Sequence, residues 1–286
     1  GQYLFARQWS ALRAYAAARN ILILGDMPMY LSEDSADVWA EPQWFQLDAR
    51  GRRTSCAGVP PDSLAAEGQL WGNPLYDWEA LGRDGYGWWL RRLERAFALY
   101  DFVRLDHFRG FEAYWSVPAG QPASAGRWVP GPGSAPFEAA ERALGPLPVV
   151  AEDLGRITPG VRGLLARCGF PGMDVLQFAD GDPRQGYFPP ENAVAYTGTH
   201  DNRPLLGWCA EKYPGEDPLP VAEALMERVL CSRARAAILP LADVLELGDG
   251  ARMNTPGTTG DNWRWQAKQE DFSGAAERLS RITKLS

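Results

Sequence analysis

The sequence predicts an α/β protein in which parallel strands alternate with helices and close into a (β/α)8 barrel. Short aliphatic runs without polar alternation recur along the 286 residues, and such runs are typical of strands buried on both faces of a parallel sheet. Stretches with helical spacing separate these runs. A polar or charged residue follows each run, at the strand end where such a barrel carries its active site. No G-x-G-x-x-G turn follows a strand, which disfavours a dinucleotide-binding sheet.

The first helix and strand are predicted near the start of the chain. Residues 3–19 carry apolar side chains at helical spacing, and Asn20 is suited to end that helix. Residues 21–24 then form an aliphatic run that leads into Gly25 and Asp26. No strand is predicted before this opening helix.

Five more strands follow, most of them after a predicted helix. The strands are residues 102–106, 148–152, 173–178, 193–196 and 236–240, and the helices are 88–100, 137–144, 159–168 and 220–235. Six strands fall short of eight, and a closed barrel cannot lose two neighbours without exposing its edges and interior. We therefore expect residues 1–286 to be one catalytic barrel domain that is incomplete at its N-terminus. Long βα-loop insertions are expected at 27–78 and 111–147.

Composition excludes several classes of partner. The net charge is −7 and no Lys/Arg-rich run occurs, so neither nucleic acid nor an anionic membrane is an expected partner. No apolar run reaches the ~20 residues of a membrane span. The four cysteines are far apart and lack Cys-x-x-Cys spacing, which predicts neither a zinc site nor a disulfide framework. Reduced thiols in a cytoplasmic protein are the expectation.

Arg104 and Asp106 form the first candidate catalytic pair. They lie at i and i+2 on a predicted strand, so their side chains point to the same side. An Arg beside an Asp keeps the carboxylate ionised and oriented, as a carboxylate nucleophile requires. The alternative is an ion pair that only holds strands together.

Glu152 and Asp201 follow two other predicted strands. A Glu leaving an apolar strand lies in a low dielectric, which raises its pKa and suits a general acid. The alternative for this segment is a helix N-cap, which Asp153 would serve better, and the alternative for Asp201 is a tight turn. Since all three acids would lie at the same end of one barrel, we expect Asp106, Glu152 and Asp201 to converge. Two carboxyls about 5–5.5 Å apart across a glycosidic bond define a retaining glycosidase.

Ordered motifs along nearly the whole chain resemble one known family. They are Gly-Asp-Met-Pro at 25–28, Ala-Asp-Val-Trp-Ala at 36–40, Gly-Val-Pro-Pro-Asp at 58–62, Gly-Gln-Leu-Trp-Gly-Asn-Pro at 68–74, Arg-Leu-Asp-His-Phe-Arg-Gly at 104–110 and Asn-Thr-Pro-Gly at 254–257. The chain thereby resembles the amylomaltases, the 4-α-glucanotransferases of glycoside hydrolase family 77 in the α-amylase clan. The resemblance implies a barrel of the α-amylase type with two further strands before the equivalent of Gln2.

The resemblance also implies roles for individual residues. Asp106 would be the nucleophile, Glu152 the acid/base and Asp201 the stabiliser that holds the sugar hydroxyls of the distorted ring. Arg104 and His200 would contact the nucleophile and the donor glucose. The positions that line the donor cleft or its covering loop would be Asp26, Asp62, Trp71 and Asn73. The substrate would be a maltooligosaccharide or starch-like glucan, with no cofactor and no metal. Arg203 departs from the family, which usually has Asp there, so the acceptor-side contacts differ locally.

Three other functions stay open from the sequence. The first is an α-amylase-like hydrolase, and the second is a glycan-binding fragment without turnover. The third is a metal-dependent barrel hydrolase using Asp106, His107, Glu152, His200 and Asp201. The last is disfavoured because catalytic zinc sites commonly use two or three His, and His107 alternates away from Asp106 on its strand.

Overall fold

The protein has an α/β fold, as its sequence predicts. The computed structural model describes residues 1–61, 66–258 and 260–284. The chain divides into two compact units, Gly1–Phe170 and Pro171–Ser286. Each unit contains a three-stranded parallel sheet. Among the described residues, none of the helices combines the length and the apolar character that crossing a membrane would need.

The first unit combines a parallel sheet, an antiparallel sheet and six α-helices within its described residues. The helices are α1 Gln2–Ala17, α2 Ala36–Ala40, α3 Trp78–Arg83, α4 Gly87–Leu99, α5 Ala135–Leu144 and α6 Pro159–Cys168. The strands are β1 Leu24–Met27, β2 Ser55–Val59, β3 Gln69–Pro74, β4 Phe102–Leu105, β5 Ala113–Pro118, β6 Arg127–Pro130 and β7 Val149–Ala151. The parallel sheet has the order β1-β4-β7. Its strand ends carry Asp26, Asp106 and Glu152.

The opening helix ends two residues before its predicted end, at Ala17, and the first strand begins later than predicted. Asn20 is left-handed (φ 56°), and the amides of Asn20 and Ile21 donate back to Ala17 and Ala16, which closes the helix. The predicted strand at 21–24 is wrong in its first three residues, because β1 starts at Leu24. The Ile23 amide donates to the Asp101 carboxylate instead of entering the ladder, and Ile21 is exposed. An aliphatic run alone could not show where pairing begins.

The two predicted insertions contain a four-stranded antiparallel sheet of order β3-β2-β5-β6, which the sequence did not predict. Its strands are short, and the β2–β3 register shifts between Cys56 and Gly58. A Cβ at Gly58 would lie 2.3 Å from the Gln69 carbonyl oxygen, so the strands approach closely only at a glycine. Bulged, glycine-containing strands lack the regular alternation by which strands are recognised.

Aromatic rings form the core of the first unit beneath the turn that follows β4. A 3-10 helix, Phe108–Phe111, begins two residues after Asp106. Phe108 and Phe111 are fully buried, and the Phe111 ring lies 4.7 Å from the Phe137 ring and 5.3 Å from the Trp89 ring, centroid to centroid. Packed rings occupy few rotamers, so this core fixes the turn next to Asp106.

The second unit contains the other three predicted strands. They are β8 Gly172–Val175, β9 Ala193–Tyr196 and β10 Ala236–Ile238, in the order β10-β9-β8. Its helices are α7 Leu205–Lys212, α8 Pro218–Leu230, α9 Leu241–Val244 and α10 Asp271–Lys284. The helix predicted at 220–235 corresponds to α8, which begins two residues earlier and ends five residues earlier than predicted. Its start is set by the Asp217 carboxylate, which accepts from the Leu219 amide at 3.1 Å.

Candidate active site

Arg104 joins two carboxylates at neighbouring strand ends of the first unit. Its guanidinium contacts both Asp26 oxygens at 2.8 and 2.9 Å, and Nη2 lies 2.9 Å from Asp106 Oδ1. The Arg104 side chain is only 14% exposed, so the contacts are partly shielded from water. This ion pair directs the Asp106 carboxyl, and a guanidinium at this distance favours the charged form that a carboxylate nucleophile needs.

Glu152 directly follows β7 and is held by amides from two different loops. Its Oε2 accepts from the His107 amide and its Oε1 accepts from the Leu154 amide, each at 2.8 Å. The backbone is also tied to the neighbouring strand end, since the Glu152 amide donates to Leu105 and the Phe108 amide donates to the Glu152 carbonyl. The carboxyl therefore has a fixed position beside the strand that precedes Asp106.

The surroundings of Glu152 make it a weak acid. Burial, followed by the negative charge of Asp106, raises the pKa of Glu152 to about 7, against the opposing effects of Arg104 and the two amides. The residue keeps intermediate exposure, so solvent and ligands can still reach it. One carboxyl whose pKa is raised to about 7 thus lies beside one that is paired with Arg104. Such a difference separates a general acid from a nucleophile.

His107 lies between this carboxyl and the antiparallel sheet. Its backbone is left-handed (φ 48°), which turns its amide toward Glu152. The ring packs edge-on against Trp71, with centroids 4.8 Å apart, and 6.2 Å from the Tyr30 ring. Burial and then Arg109 lower the pKa of His107 to about 3. The imidazole is therefore neutral at physiological pH and belongs to an aromatic cluster.

Trp71 and Asn73 lie on β3, in the predicted covering loop. The Trp71 indole donates to the Gln69 side chain at 3.0 Å and is 37% exposed. Its ring centroid is 6.2 Å from that of Tyr30. The segment is thus a paired strand that presents a partly exposed indole, a surface on which a sugar ring can stack. Asp62, the other residue predicted for this loop, lies outside the described residues.

Asp201 and His200 belong to the second unit, in the loop that follows β9. Asp201 Oδ1 accepts from the Asn254 side chain at 2.7 Å and lies 3.5 Å from His200 Nε2. Arg252 donates to the Asp201 carbonyl at 2.9 Å, and the Asn254 amide donates to the His200 carbonyl at 3.0 Å. The Asp201 carboxylate remains 46% exposed. A held but accessible carboxylate can accept hydrogen bonds from sugar hydroxyls.

Asp243, on α9, holds the same loop through hydrogen bonds. Its carboxylate accepts from the Thr197 hydroxyl at 2.6 Å and from the Leu205 amide at 2.7 Å, so it joins both ends of loop 198–204. Asp243 is 3% exposed, and burial raises its pKa to about 6.

Arg203, where the chain departs from the expected motif, pairs with Asp249 and Glu211. The departure thus forms an ion-pair network within the second unit.

The structure brings together some of the predicted residues. Asp26, Arg104, Asp106 and Glu152 form one cluster in the first unit, and His200 and Asp201 form another in the second. The convergence of Asp201 with Asp106 and Glu152 stays a prediction. No group of three or more His, Cys, Asp or Glu side chains in the described part of the chain is arranged to hold a metal ion.

Several supporting residues were given no role by sequence reasoning. They are Asn254, Arg252, Asp243, Arg109 and Tyr30. Asn254 and Arg109 fall inside the motifs that carried the family resemblance, so a signal for them existed, although it gave no role. The contacts of Asp243 join chain positions far apart, which no local pattern reveals.

Comparison with known proteins gives a consistent result. A family model described as 4-alpha-glucanotransferase matches residues 1–271. The chain is 49% identical to the 4-alpha-glucanotransferase of Thermus thermophilus, covering 95% of this chain and 59% of the relative. It is 46% identical to the 4-alpha-glucanotransferase of Streptococcus pneumoniae, covering 96% and 58%. The chain thus spans somewhat less than two thirds of the length of these relatives.

A solved structure is similar over the same extent. The amylomaltase from Streptococcus agalactiae in complex with acarbose superposes with a TM-score of 0.91 at 37% identity, covering 99% of this chain and 61% of that chain. The matched region includes residues of both units.

Proposed function

This chain belongs to the 4-alpha-glucanotransferase family, and from that premise we propose that its protein transfers α-1,4-glucan segments between maltooligosaccharides. The donor is a maltooligosaccharide or starch-like glucan, and the acceptor is the 4-hydroxyl of a second glucan. The reaction is a double displacement that retains the anomeric configuration. The chemistry is assigned to side chains alone, without a cofactor or a metal.

One observation carries the proposal: a buried carboxyl with a raised pKa, Glu152, lies beside Asp106, which is paired with Arg104. The pKa of Glu152 is raised to about 7 by burial and by Asp106, while Asp106 itself contacts Arg104 at 2.9 Å. A retaining glucanotransferase needs an acid that is protonated at working pH and a nucleophile that is not. The S. agalactiae amylomaltase, solved with acarbose, supports a sugar-binding cleft in the complete protein.

In the first displacement, Glu152 gives its proton to the glycosidic oxygen as Asp106 attacks the anomeric carbon. The bond to the leaving glucan breaks, and a covalent β-glucosyl ester with Asp106 forms through an oxocarbenium-like transition state. Arg104 directs the attacking oxygen. Asp201 and His200 hold hydroxyls of the distorted donor glucose, and Asp26, Asp62, Trp71 and Asn73 line its cleft.

In the second displacement, ionised Glu152 removes the proton from the 4-hydroxyl of the acceptor glucan. The acceptor oxygen attacks the anomeric carbon, the ester bond to Asp106 breaks and Glu152 regains its proton. Transfer to the acceptor is faster than hydrolysis of the ester when an acceptor is bound and water is excluded.

We further infer that the six parallel strands belong to one (β/α)8 barrel of the α-amylase type. The parallel pairing within each unit and the helices between successive strands support this architecture. A single catalytic domain over residues 1–286, two further N-terminal strands and a cytoplasmic location remain expectations, as does the absence of nucleic-acid and membrane partners.

Product analysis of the complete protein tests the function. With maltotriose as the only substrate, we expect glucose and maltooligosaccharides longer than maltotriose, while the number of reducing ends stays constant. A steady rise in reducing ends without longer products would identify an α-amylase-like hydrolase instead. Binding of maltotriose without any new product would identify a glycan-binding protein.

A chelator separates the metal-dependent alternative. The acid pair described above needs no metal, so transfer is expected to survive treatment with EDTA. Loss of activity that added zinc restores would support a metal site that includes His107 or His200.

A further inference from the structure

The candidate general acid depends on two separate loops. Glu152 Oε2 is held by the His107 amide from the loop after β4, and Oε1 is held by the Leu154 amide from the loop after β7. A hydrogen bond weakens steeply with distance and angle. Both amides therefore reach the carboxyl only if the two loops keep a fixed separation.

Arg109 bridges these two loops. It lies two residues after His107, in the 3-10 helix Phe108–Phe111, and its Nη1 donates to the Arg156 carbonyl at 2.6 Å. Arg156 follows Leu154 by two residues. The Gly110 amide donates to the His107 carbonyl at 2.9 Å, which joins the Arg109 turn to the amide donor itself.

The surroundings of Arg109 keep its guanidinium in one place. The group lies 3.9 Å above the Trp128 ring centroid, and the residue is only 6% exposed. Its Nη2 is 3.7 Å from Glu112 Oε2, which is a long ion pair. The buried Nε has no hydrogen-bond partner among the described residues.

Stability alone does not account for this arrangement. A buried guanidinium with a distant counter-charge and an unsatisfied nitrogen costs more desolvation free energy than a well-paired one. Its short hydrogen bond to the Arg156 carbonyl ties it to the loop that carries Leu154, and this contact can fix the position of that loop.

We propose that Arg109 is a positioning residue that holds the loops after β4 and β7 at the separation from which both amides reach the Glu152 carboxyl. The inference rests on the proposed function, in which Glu152 is the acid. In this role Arg109 acts through the backbone of the two loops.

The two hydrogen bonds to Glu152 determine in which direction its pKa should change when Arg109 is replaced. Amides that donate to a carboxyl favour its ionised form and lower its pKa, and both amides act so on Glu152. Loosening them should raise the Glu152 pKa further. The other titratable groups near Glu152 are Asp106 and Arg104, and those near Arg109 are Glu112, Arg156, Tyr30 and the neutral His107.

The test titrates Glu152 directly in the complete protein. Glutamate labelled with carbon-13 at its side-chain carboxyl gives the Glu152 signal, identified by its loss in Glu152→Gln. In Arg109→Met we expect the Glu152 pKa to rise by about half a unit to one unit, the effect of losing about one hydrogen bond. Arg109→Lys should shift it in the same direction but less, because an ammonium cannot both lie flat on Trp128 and hold the Arg156 carbonyl.

A matched control distinguishes geometry from charge. Glu112→Gln removes a charge beside Arg109 but leaves the bridge to Arg156 intact, so the Glu152 pKa should stay unchanged. An unmoved pKa in Arg109→Lys, or in a folded Arg109→Met, overturns the proposal. A shift in Glu112→Gln as large as that in Arg109→Met also overturns it, since through-space charge would then be the cause.

Kinetics separates this inference from the function on which it rests. If the unmodified protein does not disproportionate maltotriose, the proposed function fails whatever Arg109 does. If it does, the alkaline limb of its kcat/KM profile should move upward in Arg109→Met together with the titrated pKa, with kcat lowered more than KM is changed. Loss of stability alone would lower the amount of active enzyme without moving that limb.

Discussion

Asp106 and Glu152 follow neighbouring strands, yet their surroundings differ. Arg104 contacts Asp106, whereas burial and the charge of Asp106 dominate at Glu152. Asp201 differs again, since it is nearly half exposed and is held by Asn254. The three carboxyls are thereby suited to attack, to carry a proton and to bind hydroxyls, respectively.

If Asp106 is the nucleophile of the proposed transfer, replacing its carboxylate should nearly abolish that transfer. In Asp106→Asn, we expect glucose release from maltotriose to fall roughly 10⁴-fold or more, because the described site offers no equivalent group placed to form the ester. The measurement is glucose release by the complete protein. Asp180→Asn, at an exposed position of the second unit, serves as the control and should keep its activity. Near-normal transfer by Asp106→Asn would show that Asp106 is not the nucleophile.

The pH dependence should report the Glu152 proton. The proposed first displacement needs protonated Glu152, and the pKa of Glu152 is raised to about 7. We therefore expect kcat/KM for maltotriose to be highest below pH 7 and to fall as pH rises through about 7. Rates measured from pH 5 to pH 9 check this, and Glu152→Gln should lose both the rate and that alkaline limb. A limb that persists unchanged in Glu152→Gln would assign it to another group.

At the scale of elements, buried side chains fix the loops that carry candidate catalytic groups. Aromatic packing of Phe108 and Phe111 holds the turn after β4. Asp243 joins both ends of loop 198–204, and Asn254 holds its Asp201. The turn is held through the Trp89 and Phe137 rings and the loop through Asp243 and Asn254, all from other elements, so a site residue is positioned by contacts outside its own strand.

Asp243 should make the stability of the protein depend on pH. Burial raises its folded-state pKa to about 6 from 3.8, so the folded protein binds the proton more tightly than the unfolded chain. The resulting stabilisation is fully present below about pH 4 and is lost as pH rises through about 6. Asp243→Asn cannot ionise and should lack this loss, which amounts to about 3 kcal/mol.

Urea unfolding of the complete protein at pH 4.5 and pH 7.5 measures this effect. The unfolding free energy of the original protein should fall relative to that of Asp243→Asn as pH rises between those values. Asp217→Asn, a change at the exposed cap of α8, is the control. An equal pH dependence in the original protein and in Asp243→Asn would mean that Asp243 does not titrate in this range.

At the scale of the whole molecule, apolar side chains remain exposed beside the parallel sheet of the first unit. Leu22, Leu24 and Phe102 are 66%, 36% and 42% exposed, and within the described residues β1 pairs only with β4. The relatives are longer than this chain. Exposed apolar side chains beside an edge strand favour pairing with further chain.

Residues 1–286 alone should therefore be less stable and less active than the complete protein. We expect a lower midpoint of thermal unfolding and a loss of most transfer activity on maltotriose. Both preparations are compared by circular dichroism and by glucose release at equal concentration. Equal stability and equal transfer would show that residues 1–286 form a self-sufficient enzyme.

Much of the fold was predictable, because buried parallel strands have a strong local signature. All six predicted strands are present, and α6 has the bounds that its sequence pattern predicts. The antiparallel sheet was missed since Gly58 and the register shift beside it interrupt the alternation. The start of β1 was misplaced because a side chain, Asp101, captures the Ile23 amide before the ladder begins.

The candidate site, like the fold, was predictable from the sequence only in part. The sequence by itself determined which acids follow the strands, because a parallel strand brings its last residues to one end of a sheet. Only the tertiary structure decided that the pKa of Glu152 is raised, that Arg109 bridges two loops and that Asp243 joins the ends of a third. Burial and hydrogen bonds between distant chain positions set these properties, and neither is encoded in the residues adjacent to each group.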